Sequence, residues 1–558
     1  MEINHLEYVP IAEYSIVFGK EMADAELINL LSGIECQKII VILARLESLH
    51  IAVCQQIKEA VCLDWQLRVL HSSHIKEKGG NWIQYNQYRT IMCPQSIFEA
   101  EKWAIAYCPV EDDITPITIP DLMLVMDVIL AVNDRLPKEE VSGHELEYLY
   151  LMLYYNTHKI IKNQIARSYY VFSVLAKNDH QNIIEFVKRY VEKKGYSIED
   201  RLAVLFNYLG IVIPDYTIEG LFYKNLGVDI QDFNAKGLAS AHEKVCKSVR
   251  IGYKQAKKNA HDLIDQIWNF ELFYRFPFIQ IGKHQIAFSE TTIVYQMWEG
   301  LYWDVRFAFE DDGEHFMAQF GHPFEHYVQE IIGNAAENSK GNVLFQNEFL
   351  YKYKGFNKAS TDCYIRIDNT LIAFEVKAKS PHSSTLTGVD REAIEKELDD
   401  IMIMPVKQAL DRLMEIYSDN NDLTEDVVNF FKDIEQVIII SVSMEKVQPI
   451  GELLYKSDQA LKELAETNVV AYHNINIEEC EVICNLIETC SDELSAILIK
   501  WFNDQRLDSR SAVTLANFLI SIGKRFVCSD YVSEMFNASM REISIKTFGK
   551  DLTVMKTH

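Results

Sequence analysis

The stretch Ser360-Thr361-Asp362-Cys363-Tyr364-Ile365-Arg366-Ile367-Asp368-Asn369-Thr370-Leu371-Ile372-Ala373-Phe374-Glu375-Val376-Lys377 reads as two strands joined at Asp368-Asn369. A two-residue loop at that point fixes the pairing, so that residue i of the first strand lies opposite residue 737 − i of the second. Cys363 then pairs with Phe374, Ile365 with Ile372 and Ile367 with Thr370, which makes one face almost wholly apolar. Side chains alternate between faces, so the other face carries Asp362, Tyr364 and Arg366 with Leu371, Ala373, Glu375 and Lys377. Asp362 faces Glu375, thirteen positions further along the chain.

Directly opposed side chains have β-carbons roughly 4.5–5.5 Å apart, and two carboxylates placed this way repel unless a proton or a cation lies between them. A hard divalent ion bound through oxygen is the natural occupant. Lys377 follows about 7 Å beyond Glu375 on the same face, within reach of a water or phosphate held there.

At 558 residues the chain is too long for one ordinary core. With 48% hydrophobic residues, 12 prolines and 22 glycines, it reads as compact, soluble and mostly helical. The apolar runs Ile39 to Ala44, Leu122 to Val132 and Tyr148 to Tyr155 fall short of the ~18–20 residues that cross a bilayer. The start Met-Glu-Ile-Asn-His has no signal-peptide character. Eleven scattered cysteines suit a reducing compartment, so the cytoplasm is expected, with no membrane association.

A net charge of −26 argues against a surface that binds nucleic acid everywhere, but leaves room for local basic regions. Between Lys340 and Ser380 seven Lys/Arg stand against four Asp/Glu, a local excess of +3 that includes Arg366 and Lys379. A second region is Lys244, Lys247, Arg250, Lys254, Lys257 and Lys258, at spacings of three and four. That spacing predicts one basic stripe along a helix, with Val245, Val249, Tyr253 and Ala256 turned inward. Such a stripe is either a solvated face or a contact for a nucleic-acid backbone.

From Ala12 to about Phe270 apolar residues recur every three or four positions, which predicts an array of helices. Three prolines between Pro109 and Pro120 mark a break within it, and Phe276 to Ala287 reads as a short hairpin. After that come a helix through Phe324, Tyr327, Val328, Ile331 and Ile332, a strand Val343 to Tyr353, and the quoted hairpin. An acidic helix (Asp390 to Asp400), a helix Val406 to Tyr417, a buried strand Val437 to Val442, a helix Ser457 to Glu466 and a strand Val469 to Tyr472 complete the series. The order is αβββαβ with an added αβ. The expected division is a helical region 1–315, with a break near 109–120, an α/β region 316–475 and a helical C-terminal extension 476–558.

That order, with Thr361-Asp362 and Glu375-Val376-Lys377 on adjacent strands, resembles the PD-(D/E)xK nuclease superfamily, the restriction-endonuclease-like fold, over residues 316 to 475. Thr361 stands where that pattern often has proline, a position that is not a ligand. The resemblance implies a core-helix glutamate, matched by Glu325, and a glutamine on the helix after the lysine strand, matched by Gln408. It implies that Asp362, Glu375 and the Val376 carbonyl hold Mg²⁺ or Mn²⁺, with Glu325 completing the shell directly or through water. Lys377 would orient or deprotonate the attacking water, and Gln408 would position the lysine or a phosphate oxygen. The implied activity is hydrolysis of phosphodiester bonds, as a DNA endonuclease, in a setting of restriction or antiphage defence. The helical N-terminal half would then bind a second copy or a separate partner, or control access.

Two alternatives stand beside this. A nuclease-like fold without catalysis would be a nucleic-acid-binding or scaffold protein. His322-Pro323-Phe324-Glu325-His326 also matches the pattern of inverted zinc metallopeptidases, but Pro323 is expected at the first helical position, which leaves His322 as a cap. Cys480, Cys484 and Cys490 are expected to be core residues of a helix rather than cluster ligands.

Overall fold

The computed structural model describes residues 11–81, 90–111, 115–136, 145–156, 161–178, 183–222, 238–309, 313–382, 385–386, 390–507 and 512–549. The architecture is mixed α/β: a large helical region packed on a sheet core. Five helices bear on the site: α1 (Ile161–Tyr169), α2 (Gly313–Glu337), α3 (Met404–Ile416), α4 (Ile477–Asp504) and α5 (Asp530–Phe548). The strands are β1 (Arg250–Gly252), β2 (Phe278–Ile281), β3 (His284–Ala287), β4 (Val343–Asn347), β5 (Leu350–Tyr353), β6 (Phe356–Ala359), β7 (Cys363–Ile367), β8 (Thr370–Lys377), β9 (Asn421–Asp422), β10 (Gln436–Ser443) and β11 (Val469–Asn476). No single helix among the described residues is long and apolar enough to cross a membrane.

The main sheet has the order β11-β10-β8-β7-β4. β4, β7 and β8 form an antiparallel meander, and β10 and β11 continue it in parallel. The β7–β8 register is the one the sequence predicts, from Cys363 opposite Phe374 to Ile367 opposite Thr370. Asp368 turns the hairpin in the left-handed region, at φ 50, a conformation Asp tolerates better than most residues.

Both faces of this sheet are buried, each in a different apolar core. Cys363, Ile365, Ile372, Phe374 and Val376 join α2 and α4 on one side. Tyr364, Leu371 and Ala373 join α3 and the helices of the first 160 residues on the other. Burial on both faces explains why β10 is a continuous apolar run, Val437-Ile438-Ile439-Ile440. The first core extends across residue 475 as well, since α5 returns to pack on α1.

Three expectations change. Residues Val343 to Tyr353 form two strands, because at Glu348 and Phe349 the chain leaves the main sheet for a second one, ordered β6-β5-β9. α2 begins ten residues before Pro323 and carries that proline inside it. Phe316, Phe320 and Phe324 recur every four residues and stack at 5.7 and 6.3 Å, fully buried. Their burial outweighs the ~3 kcal/mol that an internal proline costs. Finally, the 109–120 break is a connector within one core: the helices Pro94–Tyr107 and Ile119–Asn133 both contribute to it, and the Cys36 N–H donates to the Pro109 carbonyl at 2.8 Å.

Candidate functional site

The backbone at Asp362 is held from three directions. Its carbonyl accepts from the Glu348 N–H at 2.9 Å and from Gln329 Nε2 of α2 at 3.0 Å. The preceding turn is fastened by Phe349 N–H to Ser360 Oγ (3.0 Å) and by Thr361 N–H to the hydroxyl of buried Tyr364 (2.9 Å). Asp362 itself stands one residue before β7 begins, so the ladder ends there and its side chain reaches across the strand gap. Its Oδ2 accepts the Val376 N–H at 2.6 Å.

Glu375 lies opposite, 2% exposed, and its Oε1 accepts from Lys377 Nζ at 2.7 Å. The Lys377 side chain keeps 27% of its surface and is the solvent-facing member of the group. Burial pushes the Asp362 carboxyl well above its usual range, and Glu375 and Glu325 add to this against the Val376 N–H and Lys377. Glu375 is raised too, first by burial and also by Glu325, with Lys377 and Arg412 opposing.

The structure thus brings together Asp362, Glu375, Val376, Lys377 and, from α2, Glu325. Two residues not singled out from sequence belong with them. Glu348 follows β4, and the β4–β7 register that sets Asn347 against Cys363 carries on to set Glu348 beside Asp362. Its carboxyl is raised by burial and by Glu325, while His322 lowers it. Arg412 is the α3 side chain whose charge is felt at Glu375. Gln408 is exposed one turn before Arg412 on α3, a helix that packs on β8 and β10. A search for acid-facing cations four residues from Gln408 would have found Arg412 in the sequence. Glu348 needed the pairing of β4.

Other sequence expectations are placed elsewhere. The basic stripe is not one helix: Lys244 and Lys247 lie on the helix Ala239–Val249, Arg250 on β1, and Lys254, Lys257 and Lys258 on the helix Tyr253–Asp262. Pairing of β1 with β2 interrupts the helical periodicity. Lys244 donates to the Gly195 carbonyl, Arg250 pairs with Glu243 at 3.2 Å, and Lys257 lies over the Tyr253 ring. Arg366 sits at the far end of β7 from Asp362 and donates to the Asp368, Asn429 and Phe430 carbonyls, a structural role. Lys379 pairs loosely with Asp400 at 3.8 Å. His322 and His326 are exposed on the middle of α2 rather than at its start. Cys480 and Cys484 are buried core residues of α4, and Cys490 sits at a kink in it.

Among the described residues no group of three or more His, Cys, Asp or Glu side chains is placed to hold a metal ion. Asp362 and Glu375 are two facing carboxylates, short of such a group, so any cation held there would keep much of its shell as water. That composition fits a hard cation such as Mg²⁺, which keeps several waters. Both carboxyls are raised by burial and like charge, the condition that a bound cation relieves.

Comparison with known protein families, with curated proteins and with solved structures finds no match to this chain.

Proposed function

We propose that this protein hydrolyses phosphodiester bonds of nucleic acid with a divalent cation, Mg²⁺ or Mn²⁺, at Asp362 and Glu375. The observation that carries this reading is the pair of facing carboxylates at the end of a β-hairpin, Glu375 buried and Asp362 partly so, with Lys377 partly exposed on the same face beside them. The mixed sheet supports it, since an antiparallel β4-β7-β8 meander continued in parallel by β10, with α2 on one face and α3 on the other, agrees with the αβββαβ order of the PD-(D/E)xK resemblance.

In this reading Asp362, Glu375 and the Val376 carbonyl would hold the cation, with Glu325 completing its shell directly or through water. The cation lowers the pKa of a bound water and stabilises charge on the scissile phosphate. Lys377 would leave Glu375 to orient the attacking water or, in its neutral form, to take that water's proton. Gln408 and Arg412, one turn apart on α3, orient the phosphate from the other side. DNA, cut internally in the cytoplasm during restriction or antiphage defence, is the substrate and setting the resemblance favours.

Supercoiled plasmid, single-stranded DNA and RNA, each incubated with Mg²⁺ or Mn²⁺ and with EDTA controls, test this directly. Cation-dependent cleavage is expected, with Asp362→Asn and Lys377→Met each losing at least ~10²-fold. Cleavage that persists in both variants would falsify the assignment. Binding without cleavage by any form would indicate a nuclease-like scaffold, and a peptidase activity lost in His326→Ala would move the chemistry to α2.

A further inference from the structure

Between Glu348 and Asp362 the chain makes an excursion that the catalytic reading does not use. β5 and β6 form a tight hairpin, with Leu350 opposite Ala359 and Tyr353 opposite Phe356. Its turn, Lys354-Gly355, has both residues in the left-handed region, at φ 50 and 84, as a two-residue hairpin loop requires. The base is clamped beside Asp362 by mutual bonds of Ser360 and Phe349. On strand rise the tip stands about 13 Å from that base.

The composition of this hairpin is unlike the rest of the chain. Residues 349 to 361 contain three lysines, Lys352, Lys354 and Lys358, and no acid, in a protein of net charge −26. The inner face is used structurally: Tyr351 is buried, its hydroxyl donates to Glu415 at 2.6 Å, and Lys358 pairs with the same carboxylate at 3.3 Å. The outer face, which carries Leu350 and Lys352, is not, nor is the tip, where Phe356 stands opposite Tyr353 and so on the Tyr351 face of the hairpin. Leu350 is 81% exposed and Phe356 72%, the two most exposed large apolar side chains among the described residues. Lys352 and Lys354 are exposed with them, and Lys354 lies over the Tyr353 ring. Across from Lys352 lies Asp422 of β9, the acid that the sheet places nearest to it.

Exposed aromatic and aliphatic surface interleaved with lysines is what a single nucleic-acid strand requires: rings on which unpaired bases stack, and cations for the backbone between them. Duplex bases are already stacked and present no free face to Phe356. We propose that the β5–β6 hairpin is a binding wing for single-stranded nucleic acid, with Phe356 as the stacking ring and Lys352 and Lys354 as phosphate contacts, feeding an unpaired segment to the site at its base. The feeding role rests on the phosphodiesterase reading above; the binding role does not.

Fluorescence anisotropy of the full-length protein with labelled single-stranded and duplex oligonucleotides, in EDTA so that nothing is cut, tests it. Tighter binding of the single strand is expected. Phe356→Ala should weaken that binding about 5- to 100-fold, as loss of one stacked base does. Lys352→Glu/Lys354→Glu should weaken it and flatten the slope of log K against log salt by about 1.4, two phosphate contacts at 0.7 each. Failure of the unmodified protein to bind single strands, equal binding of duplex, or indifference to both sets of substitutions would each overturn the proposal. So would a change of oligomeric state in Phe356→Ala by sedimentation with binding unchanged, which would make the hairpin a contact between copies. A protein that binds through the hairpin but cuts nothing with Mg²⁺ keeps this inference and removes the catalytic one. Cation-dependent cleavage of single strands that is indifferent to Phe356→Ala keeps the catalytic reading and removes the feeding role.

Discussion

Single buried carboxylates set the local energetics of this molecule. Asp362 and Glu375 face each other, their charge offset by the Val376 N–H, by Lys377 and by the more distant Arg412. Asp362→Asn is therefore expected to stabilise the metal-free protein at neutral pH by up to about 4 kcal/mol, the scale of one like-charge pair about 4 Å apart at an effective dielectric near 20. The same variant should lose the rise in melting temperature that Mg²⁺ or Mn²⁺ gives the unmodified protein. Thermal unfolding with and without the cation reads both. A second case has no catalytic reading: Glu101 is fully buried, neither of its oxygens has a hydrogen-bond partner, and burial and Glu47 hold its carboxyl well above the usual range. Glu101→Gln should add about 1–3 kcal/mol in urea unfolding at pH 8, since a raised carboxyl costs stability as pH climbs above the carboxylate range of the unfolded chain and the amide carries no such cost. A loss of stability there would mean that a hidden partner holds the carboxylate.

Between elements, one ion pair joins three segments of the chain. Arg167 of α1 makes a bidentate contact with Glu481 of α4, at 2.5 and 2.7 Å, and neither side chain is exposed. Tyr327 of α2 donates its hydroxyl to the same Glu481 at 2.7 Å. Removing one partner leaves a bare buried charge, so Arg167→Met should cost about 3–5 kcal/mol. Arg167→Met with Glu481→Leu should recover most of that, and a double-mutant cycle in urea measures the difference. The element scale is also where sequence periodicity misleads. Three- and four-residue spacing of lysines predicts one helix from Lys244 to Lys258, yet three residues in the middle pair with β2. Pro323 predicts a helix start, yet the stacked Phe316, Phe320 and Phe324 carry the helix through it.

Over the whole molecule, buried acids and a buried histidine bound the pH range of greatest stability. Burial raises Glu47 to about 7 and Glu290 to about 8. Above pH 6.5 the unfolded chain has lost these protons while the native state gives them up only near 7 and 8, so stability still falls as pH rises from 6.5 to 8. The expected loss over that window is about 2 kcal/mol, largely absent from Glu47→Gln/Glu290→Gln, as urea unfolding at several pH values would show. His473 acts in the opposite sense. It stacks on Trp501, and burial lowers its pKa to about 3. Below pH 6.5 the unfolded chain takes up a proton that the native core refuses, and stability declines as pH falls towards 3.

The sequence by itself determined whatever depends on neighbours along the chain. Alternation and a two-residue turn were enough to set Cys363 against Phe374, and so to place Asp362, Glu375 and Lys377 together, because a hairpin register is local. The helical character of the first 270 residues and the strands β10 and β11 were legible for the same reason. Only the tertiary structure decided what comes from distant segments. Glu348 joins Asp362 through the pairing of β4 with β7, and Arg412 reaches Glu375 because α3 packs on β8. Arg366 shares the hairpin face with Asp362 but is drawn to the carbonyls ending a helix sixty residues later. Each of these depends on which apolar surfaces bury one another. That choice is made by the summed burial of the whole chain, and no short stretch of sequence records it.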